Sequence, residues 1–282
     1  MRVFGIGATA ADVVAVLRRG PSGWSHVGRW DVAARRYEPG SWLHGTLYPQ
    51  RCDLSPDGRY LCYFALHGSA TWELGATYLA ISRLPWLTTL AAWRTDGTWT
   101  RGAHFVADAG RCELGPPDAG EIDGLRGRYG LAMTEPAGYP VERRRGWRET
   151  PDSPARAVGD MWDERRADAV RMARPQPEPL GRPAAGIRPW LVVGGGYAAH
   201  RTMPGYHDAP RYELRDGPAG PVLEPLHEVQ WADWAGDGEL LTATTGGRLQ
   251  IRDRYTLRVV WEHDLAPMRP TAGAPPAEAR CW

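Results

Sequence analysis

The sequence predicts an all-β fold built from repeated antiparallel sheets, and three observations predict it. Tryptophan is abundant and phenylalanine rare, 14 against 3, while 34 glycines and 25 prolines punctuate short aromatic and β-branched stretches. Composition of that kind reads as a sandwich, a barrel or a propeller. Second, Asp53-Leu54-Ser55-Pro56-Asp57-Gly58-Arg59-Tyr60-Leu61 sets a tight turn before an aromatic strand. Pro fixes φ at the second turn position, Asp caps the turn with its side chain, and Gly accepts a positive φ. Third, the pattern returns without gaps as Asp233-Trp234-Ala235-Gly236-Asp237-Gly238-Glu239-Leu240-Leu241, an offset of 180 positions. Four periods of about 45 residues span that offset, and one such period is the length of a four-stranded propeller blade. The expected architecture is a β-propeller of about five to six blades with an irregular Pro/Arg-rich insertion.

The elements follow in chain order. Asp12 to Arg18 is a short apolar run, Arg19-Gly20-Pro21-Ser22-Gly23 a turn, and Trp24 to Trp30 alternates like a half-buried strand, so the three form a hairpin. The Ser-Pro-Asp-Gly turn and its strand come next, with a weaker echo at Arg94-Thr95-Asp96-Gly97-Thr98-Trp99. Residues 1–108 are expected to hold the first blades, 109–186 an irregular insertion or loop-rich blade, 187–265 the last blades, and 266–282 a weakly ordered tail, all within one domain. The middle is dense in Pro and Arg, at Gly115-Pro116-Pro117, Glu142-Arg143-Arg144-Arg145 and Pro175-Gln176-Pro177-Glu178-Pro179. Ser153-Pro154 suits the first turn of a helix running to Arg174, with Val158, Met161, Trp162, Arg165, Ala169 and Met172 on one face. A strand at Ala169-Val170-Arg171-Met172 competes with that helix. The Pro/Ala-rich tail after Ala266 has Trp282 as its candidate anchor.

Composition excludes several kinds of chemistry. At 282 residues and 31.2 kDa the chain has room for one large all-β domain or two ordinary ones. It contains no Lys and no Asn, so all 34 basic residues are Arg. The joint absence of two residue types with A-rich codons reads as a very GC-rich bacterial genome. A P-loop lysine, a Schiff-base lysine and an N-glycosylation sequon are thereby excluded. A net charge of +1 argues against nucleic acid as the main ligand. Met1 to Gly5 is no signal segment and the apolar runs are short, so we expect no membrane and a bacterial cytoplasmic location. Cys52, Cys62, Cys112 and Cys281 contain no CxxC and are expected as free thiols.

Through Leu54-Ser55-Pro56-Asp57-Gly58-Arg59-Tyr60-Leu61 the chain resembles the β-propeller superfamily of WD40- and TolB-like repeats. More narrowly, it is similar to a group of uncharacterised bacterial proteins. The shared stretches are Val16-Leu17-Arg18-Arg19-Gly20-Pro21-Ser22, Arg51-Cys52-Asp53-Leu54-Ser55-Pro56-Asp57-Gly58, Tyr63-Phe64-Ala65 and Ala80-Ile81-Ser82-Arg83-Leu84-Pro85-Trp86-Leu87-Thr88. The resemblance covers the first hundred residues well and the last fifty loosely. It implies a fold and no activity.

Motifs that imitate catalytic sites have plainer readings. Leu191-Val192-Val193-Gly194-Gly195-Gly196-Tyr197-Ala198-Ala199 imitates a dinucleotide-binding loop, with Glu213 downstream, but Pro204, Gly205 and Pro210 interrupt the helix that must receive the pyrophosphate. Gly5-Ile6-Gly7-Ala8-Thr9-Ala10, with Asp31 downstream, is a second imitation, and its Val-rich continuation favours a strand. The histidines (His26, His44, His67, His104, His200, His207, His227, His263) show no HExxH, and only His200 and His207, beside Asp208, approach ligand spacing. Asp53 with Asp57, and Asp233 with Asp237, repeat at turn positions, which points to turn chemistry rather than a catalytic pair. No G-x-S-x-G occurs. No catalytic, cofactor-binding or metal-ligating residue is assigned.

Partner contacts are the remaining class. Trp72, Trp86, Trp93 and Trp99 cluster in one blade-sized segment, where most are expected as core between blades and one or two on a face beside Arg83 or Arg94 as partner contacts. Arg143, Arg144 and Arg145 with Trp147 form a second group, read either as a solvated loop or as a contact for phosphate or an acidic partner. Arg and Trp together are the residue types of protein-binding hot spots. The expected function is a non-catalytic propeller that binds protein partners as a scaffold subunit of a bacterial multi-protein system, without a cofactor. The alternatives are a propeller hydrolase acting on a glycan or small molecule through channel carboxylates and, more weakly, a nucleotide enzyme using Gly5 and Gly7 or Gly194 and Gly196.

Overall fold

The structure, a computed structural model, describes residues 1–67, 74–98, 101–107, 111–115, 119–120, 125, 128–134, 140–153, 171–178, 188–194, 210–271 and 274–282. The chain divides into two compact units, Met1–Glu135 with Met268–Trp282, and Pro136–Pro267. Strands among the described residues form five antiparallel sheets, so the protein is all-β.

The first unit opens with β1 (Arg2–Gly7), β2 (Val13–Arg19), β3 (Trp24–Asp31) and β4 (Arg36–His44), paired in sequence order. Each strand folds back on its predecessor through a short turn, the connection that antiparallel neighbours allow. β2 is apolar from Val13 to Leu17 because both its faces are covered, and its residues Val13 to Arg18 are buried. Register Gly5↔Val16 places β1 antiparallel to β2, so the glycines Gly5 and Gly7 lie in a strand and not before a helix. That pairing removes the dinucleotide-loop reading of Gly5-Ile6-Gly7.

A second sheet uses β5 (Thr46–Leu47), β6 (Asp53–Leu54), β7 (Tyr60–Leu66), β8 (Thr77–Arg83), β9 (Thr89–Arg94) and β11 (Ala119–Gly120). β5 and β6 both pair with β7, at Leu47↔Ala65 and Leu54↔Leu61. β10 (Ala103–Val106) and β12 (Gly130–Met133) form a third, two-stranded sheet. β7 is the pivot of the unit. Its alternate residues Leu61, Tyr63 and Ala65 join a core with Val13, Ala15, Leu17 and Val27 of the first sheet. Tyr60, Cys62 and Phe64, on the other face, join a core with Phe105, Leu125 and Leu131. The period-2 geometry of a strand thus divides one hydrophobic run between two cores.

In the second unit, α1 (Pro140–Arg144) precedes β13 (Arg148–Glu149), β14 (Met172–Pro175), β15 (Trp190–Gly194), β16 (Arg211–Arg215) and β17 (Val222–Pro225), which form one sheet in that order. β18 (Val229–Trp234), β19 (Leu240–Thr244), β20 (Arg248–Arg252) and β21 (Val259–Asp264) form another. Of the competing readings for 153–174, Met172 belongs to a strand, and residues 154–170 lie outside the described residues. The tail carries a 3-10 turn at Ala277–Arg280 in which Ala279 is fully buried.

Candidate functional site

The Ser-Pro-Asp-Gly turn builds the candidate site from below. Gly58 N–H donates to the Ser55 carbonyl at 2.9 Å, and Gly58 takes φ +72°, a conformation that favours glycine. Asp57 Oδ1 accepts from the Ser55 hydroxyl at 2.6 Å and from the Arg59 amide at 3.1 Å. The turn is held to the first sheet by the Ala10 amide, which donates to the Pro56 carbonyl at 2.8 Å. Arg59 and Tyr60 leave this fixed turn in set directions.

Three arginines meet around Tyr60. Arg59 lies over its ring at 5.7 Å, and Arg128 Nη1 donates to its hydroxyl at 3.5 Å. Arg83 faces Tyr60 directly across the β7–β8 ladder and donates to the Cys281 carbonyl at 3.4 Å. The Trp282 ring packs 5.8 Å from the Tyr60 ring, closing the aromatic side of the cluster. Tyr60 is fully buried, Arg59, Arg83 and Trp282 are half-buried, and Arg128 is exposed. Tyr129 sits beside Asp57, and burial followed by the Asp57 carboxylate pushes its phenol up. Among the described residues, no carboxylate lies within 4.0 Å of the Arg59, Arg83 or Arg128 guanidinium.

The structure distributes the sequence candidates unevenly. Arg83 joins the cluster, and the half-buried Trp86 follows it, its amide donating to the Arg83 carbonyl at 2.8 Å. Arg94 is exposed at the end of β9, opposite Tyr78. Trp93 is 4% exposed and donates its indole N–H to the Gly115 carbonyl at 3.0 Å, which makes it a core residue rather than a surface contact. Trp72 and Trp99 lie outside the described residues. In the second unit Arg143 is exposed, 4.0 Å from Glu149, while Arg145 reaches back to the Val141 carbonyl at 3.4 Å and Arg144 is half-buried. Trp147 is 6% exposed and so is also a core residue. Both placements have one cause. An indole is large and apolar enough that neighbouring elements bury it unless the backbone holds it at an edge.

Sequence reasoning missed Arg59, Tyr60, Arg128 and Trp282. For the first two the signal was present, because they follow directly on the recognised turn. Arg128 and Trp282 reach the cluster only through tertiary packing. The other sequence motifs fall elsewhere. β15 pairs antiparallel with both β14 and β16, so the strand before Gly194 is not the parallel strand that a dinucleotide site requires. His200, His207 and Asp208 lie outside the described residues. Asp53 accepts the Phe105 amide, and Asp233 is ion-paired with Arg174.

No protein-family model matches the chain, and no curated protein matches it. Among solved structures, the chain is similar to the uncharacterized protein lmo1340 of Listeria monocytogenes EGD-e at 13% identity. That match covers 92% of this chain and 81% of the other with a TM-score of 0.29, too slight a likeness to carry a fold or a function. No helix among the described residues is long and apolar enough to cross a membrane.

Proposed function

We propose that the chain is a β-propeller of about five to six blades, related to WD40- and TolB-like repeats, and works as a non-catalytic scaffold subunit that holds a protein partner. The propeller reading is supported by the four-stranded sheets β1–β4 and β18–β21, each a sequence-ordered antiparallel meander. It gains from the division of β7 between two cores, since stacked blades bury both faces of their inner strands. The observation that carries the binding role is the meeting of Arg59, Arg83 and Arg128 around Tyr60 and Trp282. Arginine beside Tyr and Trp is the composition of interface hot spots, where a rigid aromatic supplies area and a guanidinium supplies direction. A turn and a ladder hold Arg59, Tyr60 and Arg83 in place, which lowers the ordering cost on binding.

Affinity purification of the tagged chain from its native bacterium, followed by mass spectrometry, tests the reading. A partner recovered in stoichiometric amount is expected. A solitary protein overturns the scaffold role.

A further inference from the structure

We infer that the Arg59–Arg83–Arg128 cluster receives an acidic segment of the partner protein, its carboxylates on the guanidiniums and its chain against the Trp282 ring. The inference rests on the protein-binding reading and specifies the chemistry of the same surface. Its ground is that, among the described residues, no carboxylate pairs with the three guanidiniums. Each guanidinium carries five N–H donors. Arg128 uses one on the phenol oxygen of Tyr60 and Arg83 one on the carbonyl of Cys281, both neutral acceptors. Arg59 rests on the Tyr60 ring face, again a neutral partner. The adjacent carboxylate, Asp57, is occupied by the Ser55 hydroxyl and the Arg59 amide within its own turn. Among the described residues, these contacts of all three guanidiniums are therefore with neutral groups.

Other arginines show what saturation looks like in this protein. Arg174 is ion-paired with Asp233, Arg215 with Glu213 at 2.5 Å, and Arg171 with Asp152 at 2.6 Å. These guanidiniums take a carboxylate as partner, a charge-assisted hydrogen bond stronger than one to a neutral acceptor. At the cluster no carboxylate among the described residues fills that role. A nucleic-acid backbone fits less well, because a polyanion draws on an extended basic field and the whole chain carries a net charge of only +1. The flat apolar face of Trp282 beside the charges also suits a peptide, which brings side-chain and backbone area together with its carboxylates.

The test is fluorescence anisotropy of the full chain with a labelled poly-glutamate peptide at low salt. The double variant Arg83→Ala/Arg128→Ala is expected to weaken binding about tenfold, and added salt to weaken wild-type binding progressively. Arg211→Ala/Arg258→Ala, which removes two exposed arginines of the other unit, is expected to leave the affinity unchanged. Arg83→Lys/Arg128→Lys keeps the charge and the packing stems but not the fork, and is expected to fall between the two. That variant also keeps the test valid should the alanine pair fold poorly. Equal affinity in wild type and in both cluster variants overturns the inference. So does equal loss in the Arg211/Arg258 control, or displacement of the peptide by inorganic phosphate at matched charge. The scaffold reading fails on a different result, the absence of a co-purifying partner. A partner that binds the cluster variants as tightly as wild type sinks only the acidic-segment assignment.

Discussion

The carboxylate of Asp53 accepts the backbone amide of Phe105 at 2.9 Å, although 52 residues separate the two. Asp53 is fully buried, and the bond ties β6 of the second sheet to β10 of the third. Asp233, its counterpart in the repeated pattern, is also buried and is ion-paired with Arg174 of β14 in the neighbouring sheet of its unit. Each copy of the pattern thus uses its first aspartate to join two sheets. Removing the acceptor leaves a buried N–H without this partner, a loss of about 1–3 kcal/mol. Asp53→Ala is expected to lower the unfolding free energy by that amount, read as a lower urea midpoint at unchanged m-value, and Asp53→Asn, which keeps an acceptor oxygen, by less. Equal midpoints for Asp53→Ala and wild type would show that the bond does not hold the sheets.

Gly58 combines two constraints that Gly97 separates. Both have positive φ, +72° and +81°. A Cβ at Gly58 would lie 2.9 Å from Val13 Cβ, whereas at Gly97 it would meet nothing within 4 Å. Gly97→Ala therefore measures backbone strain alone, about 1 kcal/mol. Gly58→Ala adds the displacement of Val13, a core residue of the first sheet, and is expected to destabilise by roughly 1–3 kcal/mol more. Equal thermal shifts for the two variants would remove the close approach from the account.

Much of this was legible in the sequence, and the limits are physical. The β2–β3 hairpin could be read because its turn residues and its alternation are local. The two nine-residue copies align without a gap, yet their ladders differ by one residue, Leu54↔Leu61 in one and Trp234↔Leu240 in the other. Ser55 explains the difference. Its hydroxyl accepts both the Arg59 and Tyr60 amides, at 3.2 and 2.9 Å, so the first turn closes one residue later than a turn with Ala235 at that position. Asp57 and Asp237 do serve the turns, each accepting the amide two residues on. Asp53 and Asp233, read as turn residues as well, instead hold sheets together, and their partners lie too far along the chain for spacing to reveal. Strands of two residues such as β5 and β6 carry no periodicity at all. They exist because β7 offers them a ladder.

The thiols should divide by burial. Cys52 is 3% exposed and burial pushes its thiol up to about 12, while Cys62 is fully buried and raised well above the ordinary range for the same reason. Cys281 is exposed, and Cys112 is half-buried with its thiol toward the Gly115 carbonyl. Only the thiolate attacks a disulfide reagent. Titration of the native protein at pH 8 is expected to modify Cys281 first and Cys112 more slowly, with Cys52 and Cys62 reacting only in denaturant. Cys281→Ser should abolish the fast phase. A third thiol reacting under native conditions would mean that the β6–β7 region opens.

His26 should make stability depend on pH. It is fully buried, lies in register between Arg18 on β2 and Trp42 on β4, and packs 4.5 Å from the Trp42 ring. The Tyr37 hydroxyl approaches its Nδ1 at 3.4 Å, crossing above Gly28, where a side chain would collide with it. Burial, and then the charge of Arg18, lower the imidazole from 6.5 to about 4, against a smaller opposing pull from the Gly40 backbone. Between those two values the unfolded chain binds a proton that the folded chain refuses. The stabilisation is therefore complete above pH 6.5, and it is lost as pH falls toward 4. The shift corresponds to on the order of 3 kcal/mol across that window. Carboxylates also titrate there, so the measurement is a difference between proteins. His26→Phe keeps a ring against Trp42 but cannot take up the proton, and its stability should fall less than that of wild type between pH 7 and pH 4.5 in urea titrations. If the two proteins lose equal stability over that range, His26 is not the group that sets the acid limb.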